Sequence, residues 1–196
     1  IAMMLAMYRR IPDAHAHVRG GQWKRGQFMG DQVAGKTLGI VGLGRIGRAV
    51  ARRALGLEMK VLAHDPFVAG ESALEGAVRL VPSLDALLPE CDCVTLHASL
   101  SADSRALLGA DQFSRMKKGA RVVNCARGAL IDEAALSEAL KSGHVAAAAI
   151  DVYENEPPTG SPLLTAPNTV LTPHLAASTQ EAQTAVSVEA VEVLLA

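Results

Sequence analysis

Between residues 36 and 174 the chain alternates short, unbroken apolar runs with longer stretches whose apolar positions recur three or four apart. The short runs predict strands at 37–41, 61–63, 94–96, 121–124, 146–150 and 170–172, with a short extra one at 78–81. Strands that are apolar on both faces belong inside a sheet covered on both sides. The longer stretches predict helices. One spans 45–55 after a glycine turn, and Leu84, Leu87 and Leu88 share a second helical face. A third covers 133–141, with Asp132 as its N-cap. This β-α alternation predicts an α/β fold built on a doubly wound parallel sheet.

Two segments flank that core. Residues 1–11 form an apolar, helix-like stretch that should stop near Pro12. Ser178 and Glu181 have the spacing of a capping box and should start a helix to 195, with Ala185, Val188 and Val191 among its apolar positions. The expected organisation is one domain over 1–196, with a core at 36–174 and flanking helices at 1–20 and 178–196. The last helix has no stop signal and the first residue is Ile, so a piece of a longer chain is expected.

Composition narrows the function classes. Hydrophobic residues make up 49 % but aromatics only 3 %, so alanine, valine and leucine must supply the core, which suits helices packed close to a sheet. A net charge of -1 lacks the basic footprint of a nucleic-acid binder. No apolar stretch approaches the roughly 18–20 residues that cross a bilayer. Cys91, Cys93 and Cys125 have no second ligand pair at zinc spacing. They read as buried small hydrophobes, with no metal site, in a reducing cytoplasm.

The segment Gly42-Leu43-Gly44-Arg45-Ile46-Gly47 has the pattern G-x-G-x-x-G between a predicted strand and a predicted helix. There the glycines permit a tight turn, close approach of a pyrophosphate and close helix–strand packing. The first amides of the helix, at Arg45, Ile46 and Gly47, face the phosphates. Asp65 lies 21 residues beyond Gly44, at the end of the second strand. Its carboxylate suits the ribose hydroxyls of NAD and would repel the extra phosphate of NADP. NAD is therefore the expected cofactor. His97, after the 94–96 strand, should lie near it, and His64 near the adenosine end.

Arg127, Glu156 and His174 each follow a predicted strand, where ligands bind in open α/β sheets. Arginine offers a fork for a carboxylate. Histidine can take or give a hydroxyl proton near neutral pH, and a neighbouring carboxylate favours its protonated form. The set suits hydride transfer at a 2-hydroxy or 2-keto acid.

These residues resemble the D-isomer-specific 2-hydroxyacid dehydrogenases over nearly the whole chain. The likeness is strongest at 35–47, 122–128, 151–158 and 173–179. It implies that Arg127, Glu156 and His174 form the family's catalytic set, at spacings of 29 and 18 residues. It also implies that Ala126 and Asp151 belong to the cofactor site, with the Asp151 carboxylate facing the nicotinamide carboxamide. Formate dehydrogenases of the superfamily carry Gln where Glu156 stands, which disfavours that activity. The form of 23–30, of 124–128 and of 174–183 is most similar to the branch acting on a phosphorylated 2-hydroxy acid, although reductases of small 2-keto acids share much of it. His97-Ala98-Ser99-Leu100 departs from the family's frequent Thr-Pro-Leu. The resemblance further implies a substrate domain that this chain lacks, and a homodimer, for which the apolar 1–8 segment is the expected contact. Two other readings stay open: an NAD-sensing binding protein that keeps the same triad, and a fragment that binds NAD without turnover.

Overall fold

The structure is a computed structural model that describes residues 1–70, 72–102 and 104–195, with the backbone alone at 72, 187 and 189–195. In chain order its elements are α1 (Ala2–Tyr8), α2 (Ile11–Arg19), β1 (Thr37–Val41), α3 (Arg45–Gly56), β2 (Lys60–His64), β3 (Ser72–Ala73), β4 (Val78–Leu80), α4 (Leu84–Leu87), β5 (Cys93–Leu96), α5 (Ala110–Arg115), β6 (Ala120–Asn124), α6 (Glu133–Lys141), β7 (Val145–Ile150), β8 (Thr169–Leu171) and α7 (Gln180–Leu195). The eight strands form one sheet in the order β3-β4-β2-β1-β5-β6-β7-β8. Only β3 runs antiparallel to its neighbour. The order reverses beside β1, which pairs β2 on one side and β5 on the other. This is the doubly wound, Rossmann-type arrangement, in which a crevice opens at the carboxyl ends of the strands where the order switches.

Helices cover both faces of the sheet. On one face, Leu87, Phe113, Leu136 and Leu140 from α4, α5 and α6 pack onto Val94, Val122 and Ala148. On the other, Met4, Met7 and Tyr8 of α1 and Ala51 and Ala54 of α3 pack onto Leu38, Ile40, Val61 and Ala149. The near-continuous alanine run of β7 lets helices approach it from either side. Small residues do the same for α3, which presents Gly47, Ala51 and Ala54 inward at one-turn spacing. The side chain of Asp132 caps α6 by accepting from the Ala135 amide at 3.0 Å, a contact worth about 1 kcal/mol.

The flanks differ from expectation in three ways. The first apolar stretch ends at Tyr8, and Pro12 lies inside the first turn of a second helix, α2. There its missing N–H removes no helix bond, so it starts a helix instead of stopping one. The last helix begins one residue later than the capping box implied. Thr179, not Ser178, accepts from the backbone three residues on, taking the Ala182 amide at 3.1 Å. Ala185 and Val188 are exposed, while the Val191 side chain lies outside the described residues. Finally, Met4, Met7 and Tyr8 are buried against the chain's own sheet, so α1 is not the free apolar surface that the dimer expectation relied on. The exposed apolar side chains nearby are instead Ile11, Val18, Trp23 and Met29.

Among the described residues no helix is long and apolar enough to cross a membrane, and no group of three His, Cys, Asp or Glu side chains could hold a metal ion.

Candidate active site

One row of paired residues crosses the sheet at its carboxyl edge. His64 is registered with Val41, Val41 with Leu96, Leu96 with Asn124, Asn124 with Ile150 and Ile150 with Leu171. Each candidate residue follows one of these row members within a few positions: Asp65, Gly42, His97, Arg127, Asp151 and His174. Parallel pairing therefore gathers onto one rim residues that lie up to 132 positions apart in sequence (174 minus 42).

At the middle of the rim, Gly42 has φ +92°, and a Cβ there would lie 2.7 Å from the carbonyl of His97. Its missing side chain thus serves the loop after β5 as well as the turn out of β1. A Cβ on Gly47 would lie 2.1 Å from the Gly42 oxygen, so α3 touches the turn it follows. Gly44 differs: a Cβ there meets nothing within 4 Å. Among the described residues no side chain caps α3, and Ile46 in its first turn is 68 % exposed. Uncapped amides beside open space and an apolar side chain left in water are what a dinucleotide would cover. These residues fit NAD.

Asp65 braces this loop. Its Oδ2 accepts from the Leu43 amide at 2.7 Å and its Oδ1 from the Phe67 amide at 2.8 Å. Carboxylate oxygens have further lone pairs, so ribose hydroxyls can still reach them. His64, Asp65, Pro66, Val68, Leu80 and Val81 line a depression here, in the place expected for the adenosine. His97 is largely buried with its Nε2 3.1 Å from Thr95 Oγ1, and burial pushes its pKa down to about 4. Its imidazole is neutral at physiological pH.

His174 and Glu156 come together, with Nδ1 2.9 Å from Oε2. The other Glu156 oxygen accepts from the Tyr153 amide at 3.1 Å. The His174 contact, and then the Tyr153 amide, hold the Glu156 carboxyl below the usual range. His174 takes a left-handed φ of +55°, which a non-glycine residue adopts only when its surroundings hold it there. Residue 151 does the holding. The Asp151 carbonyl accepts from the His174 amide at 2.8 Å. Its carboxylate accepts from the amides of Leu175 (2.8 Å) and Ala176 (2.9 Å) and from the Thr172 hydroxyl. Asp151, 1 % exposed, thus serves the His174 turn, a use the sequence did not suggest.

Arg127 is exposed and donates to the Ala126 carbonyl at 2.6 Å. Among the described residues no hydrogen bond or ion pair joins it to the His174–Glu156 pair; the link runs through the backbone. Gly128 lies so close to the Glu156-bearing segment that a Cβ would sit 1.9 Å from the carbonyl carbon of Tyr153. Both polar backbone groups of Ala126 are used inside the turn, the amide by Asn124 Oδ1 at 3.0 Å and the carbonyl by Arg127. Sequence reasoning missed Asn124, Gly128 and Tyr153 as parts of the site. The strand-end polar residue and the glycine one position from the candidate arginine were the available signals.

The chain is similar to several known proteins. The chain is 53 % identical over 184 residues to the D-3-phosphoglycerate dehydrogenase of Archaeoglobus fulgidus, covering 93 % of this chain and 35 % of that protein. It is 44 % identical over 194 residues to the Bacillus subtilis D-3-phosphoglycerate dehydrogenase, covering 99 % and 37 %. The chain thus spans about a third of the length of these curated relatives. Among solved structures it is similar to a glyoxylate reductase from Paecilomyes thermophila, with TM-score 0.87, 40 % identity and coverage of 95 % and 56 %. It is also similar to an NAD-dependent formate dehydrogenase from Staphylococcus aureus in complex with NAD, with TM-score 0.88, 33 % identity and coverage of 97 % and 57 %. The family model "D-isomer specific 2-hydroxyacid dehydrogenase, NAD binding domain" matches residues 1–176. The chain belongs to the D-isomer-specific 2-hydroxyacid dehydrogenase family, as its NAD-binding domain.

Proposed function

We propose that this domain binds NAD and carries the acid–base residues for oxidation of a D-2-hydroxy acid at C2, with 3-phosphoglycerate as the substrate. The product would be 3-phosphohydroxypyruvate, and the reaction would open serine synthesis. The observation that carries the chemistry is the His174–Glu156 pair on the carboxyl rim of the sheet. The likeness to D-3-phosphoglycerate dehydrogenases carries the substrate.

NAD supplies the acceptor for the hydride leaving C2. Gly42, Gly44 and the first amides of α3 would hold its pyrophosphate, and Asp65 its adenosine ribose. Arg127 holds the substrate carboxylate. His174 takes the hydroxyl proton at Nε2, since Nδ1 faces Glu156. The proton of the alcohol thus passes to the imidazole as the C2–H electron pair leaves. The Glu156 carboxylate stabilises the imidazolium and fixes its orientation. In reverse, His174 returns the proton to the keto oxygen.

The test uses the full-length protein that contains this domain. His174→Ala should abolish turnover and leave NAD affinity nearly unchanged; an active variant would sink the assignment. A panel of 3-phosphoglycerate, glycerate and lactate, with glyoxylate and hydroxypyruvate in the reductive direction, separates the proposed substrate from the second reading. That reading, a glyoxylate or hydroxypyruvate reductase, is favoured by the 40 % identity to the glyoxylate reductase. The protein is also proposed to act in the cytoplasm as a homodimer through the face bearing Ile11, Val18, Trp23 and Met29, all more than half exposed. A monomer in sedimentation at micromolar concentration would overturn the dimer.

A further inference from the structure

We propose that Asn124 is a positioning residue that aims Arg127 at the substrate carboxylate; this rests on the role given to Arg127 above. Asn124 ends β6 and is 1 % exposed. Its Oδ1 accepts from the Ala126 amide at 3.0 Å, and its Nδ2 donates to the Arg127 carbonyl at 2.9 Å. One side chain thereby ties the turn at two points, two and three residues on. Its own carbonyl accepts from the Asp151 amide at 2.9 Å. The turn is therefore referenced to the strand that leads into the His174 clamp.

The chemistry requires an amide of this length. A carboxylate would accept from Ala126 but would repel the Arg127 carbonyl. A serine hydroxyl is too short to serve both partners. A leucine of similar volume would leave the Ala126 amide unpaired and the Arg127 carbonyl with only the Leu130 amide, at 3.2 Å. The aim of Arg127 also depends on the turn more than on its own side chain. The guanidinium donates to Ala126, within that same turn, and among the described residues no carboxylate forms an ion pair with it. A rotation at the Arg127 backbone is amplified along four side-chain bonds, so a small error there moves the fork by a large fraction of its hydrogen-bonding tolerance.

The experiment is a double-mutant cycle in the full-length enzyme, reading kcat/KM for the hydroxy acid together with NAD affinity and melting temperature. Asn124→Ala should raise the KM for the hydroxy acid about 10- to 100-fold, the scale expected for losing a buried hydrogen-bonded brace, with the KM for NAD nearly unchanged. In an Arg127→Ala background the same substitution should cost almost nothing further. Equal losses in both backgrounds, or a loss shared equally with NAD, would overturn the proposal by showing a general structural role. An unchanged KM would overturn it too. Should Asn124→Ala fail to accumulate, Asn124→Asp completes the cycle, since it keeps the bond from Ala126 and turns the one to Arg127 into a repulsion, so its loss should be at least as large and should likewise vanish in the Arg127→Ala background. If Arg127→Ala itself leaves kcat/KM intact, the assignment of Arg127 fails and this inference with it. If Arg127→Ala is crippling and the Asn124 effect is additive, only this inference fails.

Discussion

An alanine at position 128 would place its Cβ 1.9 Å from the carbonyl carbon of Tyr153, 2.0 Å from its oxygen and 2.5 Å from the Glu154 nitrogen. Carbon atoms in contact sit about 3.5–4.0 Å apart, so the two backbones must separate by roughly 1.5 Å. Neither has a flexible side chain to yield, because all three atoms are main chain. Overpacking of this kind costs about 1–3 kcal/mol or more. For a chain of this size that lowers the melting temperature by about 2–12 °C. The functional cost should be larger than the stability cost suggests. Arg127 precedes the displaced residue, and the Tyr153 amide holds Glu156, so the separation widens the gap between the substrate fork and the acid–base pair. A misplacement near 1 Å can cost about 100-fold in rate. Circular dichroism melts of the chain and kcat/KM of the full-length enzyme read the two effects. Gly26→Ala is the control, since a Cβ there meets nothing within 4 Å. If Gly128→Ala melted with the wild type and kept its kcat/KM, the close docking of the two turns would not be what aligns the site.

Three more outcomes are expected. Gly44→Ala should leave the melting temperature unchanged, because its Cβ enters open space, yet weaken NAD on calorimetric titration; unaltered affinity would refute the cradle. Glu156→Gln should lower kcat/KM of the full-length protein, because the amide cannot stabilise the imidazolium as the carboxylate does; an unchanged kcat/KM would refute that role. In the wild type the Glu156 carboxyl is held below its usual range, so the stability it adds is present above the ordinary carboxylate pKa and is lost only as pH falls through the lowered value. His97, at about 4 in the folded chain against about 6.5 unfolded, leaves the unfolded state binding the extra proton between those values. Stability should therefore fall as pH drops through that window, and an NMR titration of the His97 ring with a midpoint near neutrality would refute the burial argument.

The features legible in the sequence are those whose cause is local. β1, β2 and β5 to β8 lie within a residue of their expected places, because most positions of β1, β2, β5, β6 and β7 are buried on both faces and apolar, while the half-buried β8 still shows its Val170–Leu171 pair. The glycine fingerprint is legible because its three constraints act within six residues. By contrast, β3 is two residues long, Ser72–Ala73, with no pattern to read. α5 has one fully inward aromatic, Phe113, in six residues, too few for a period. Pro12 misled because a proline permits the first turn of a helix as readily as it ends one, and only the left-handed Arg10 before it tells the two apart. At the site, residue types and order pointed to Arg127, Glu156 and His174, and the structure brings the last two into contact. The bracing by Asn124 and Asp151 stayed hidden because, the Thr172 hydroxyl apart, both work on backbone groups, which every sequence has.

The three bonds from 174, 175 and 176 to Asp151 have a mechanical consequence. They anchor the imidazole's backbone to the sheet before the chain reaches α7. Any movement of α7 relative to the sheet must then pivot past Ala176, outside the anchored turn. The backbone of His174 is thereby ordered when the domain folds, before anything binds on the rim.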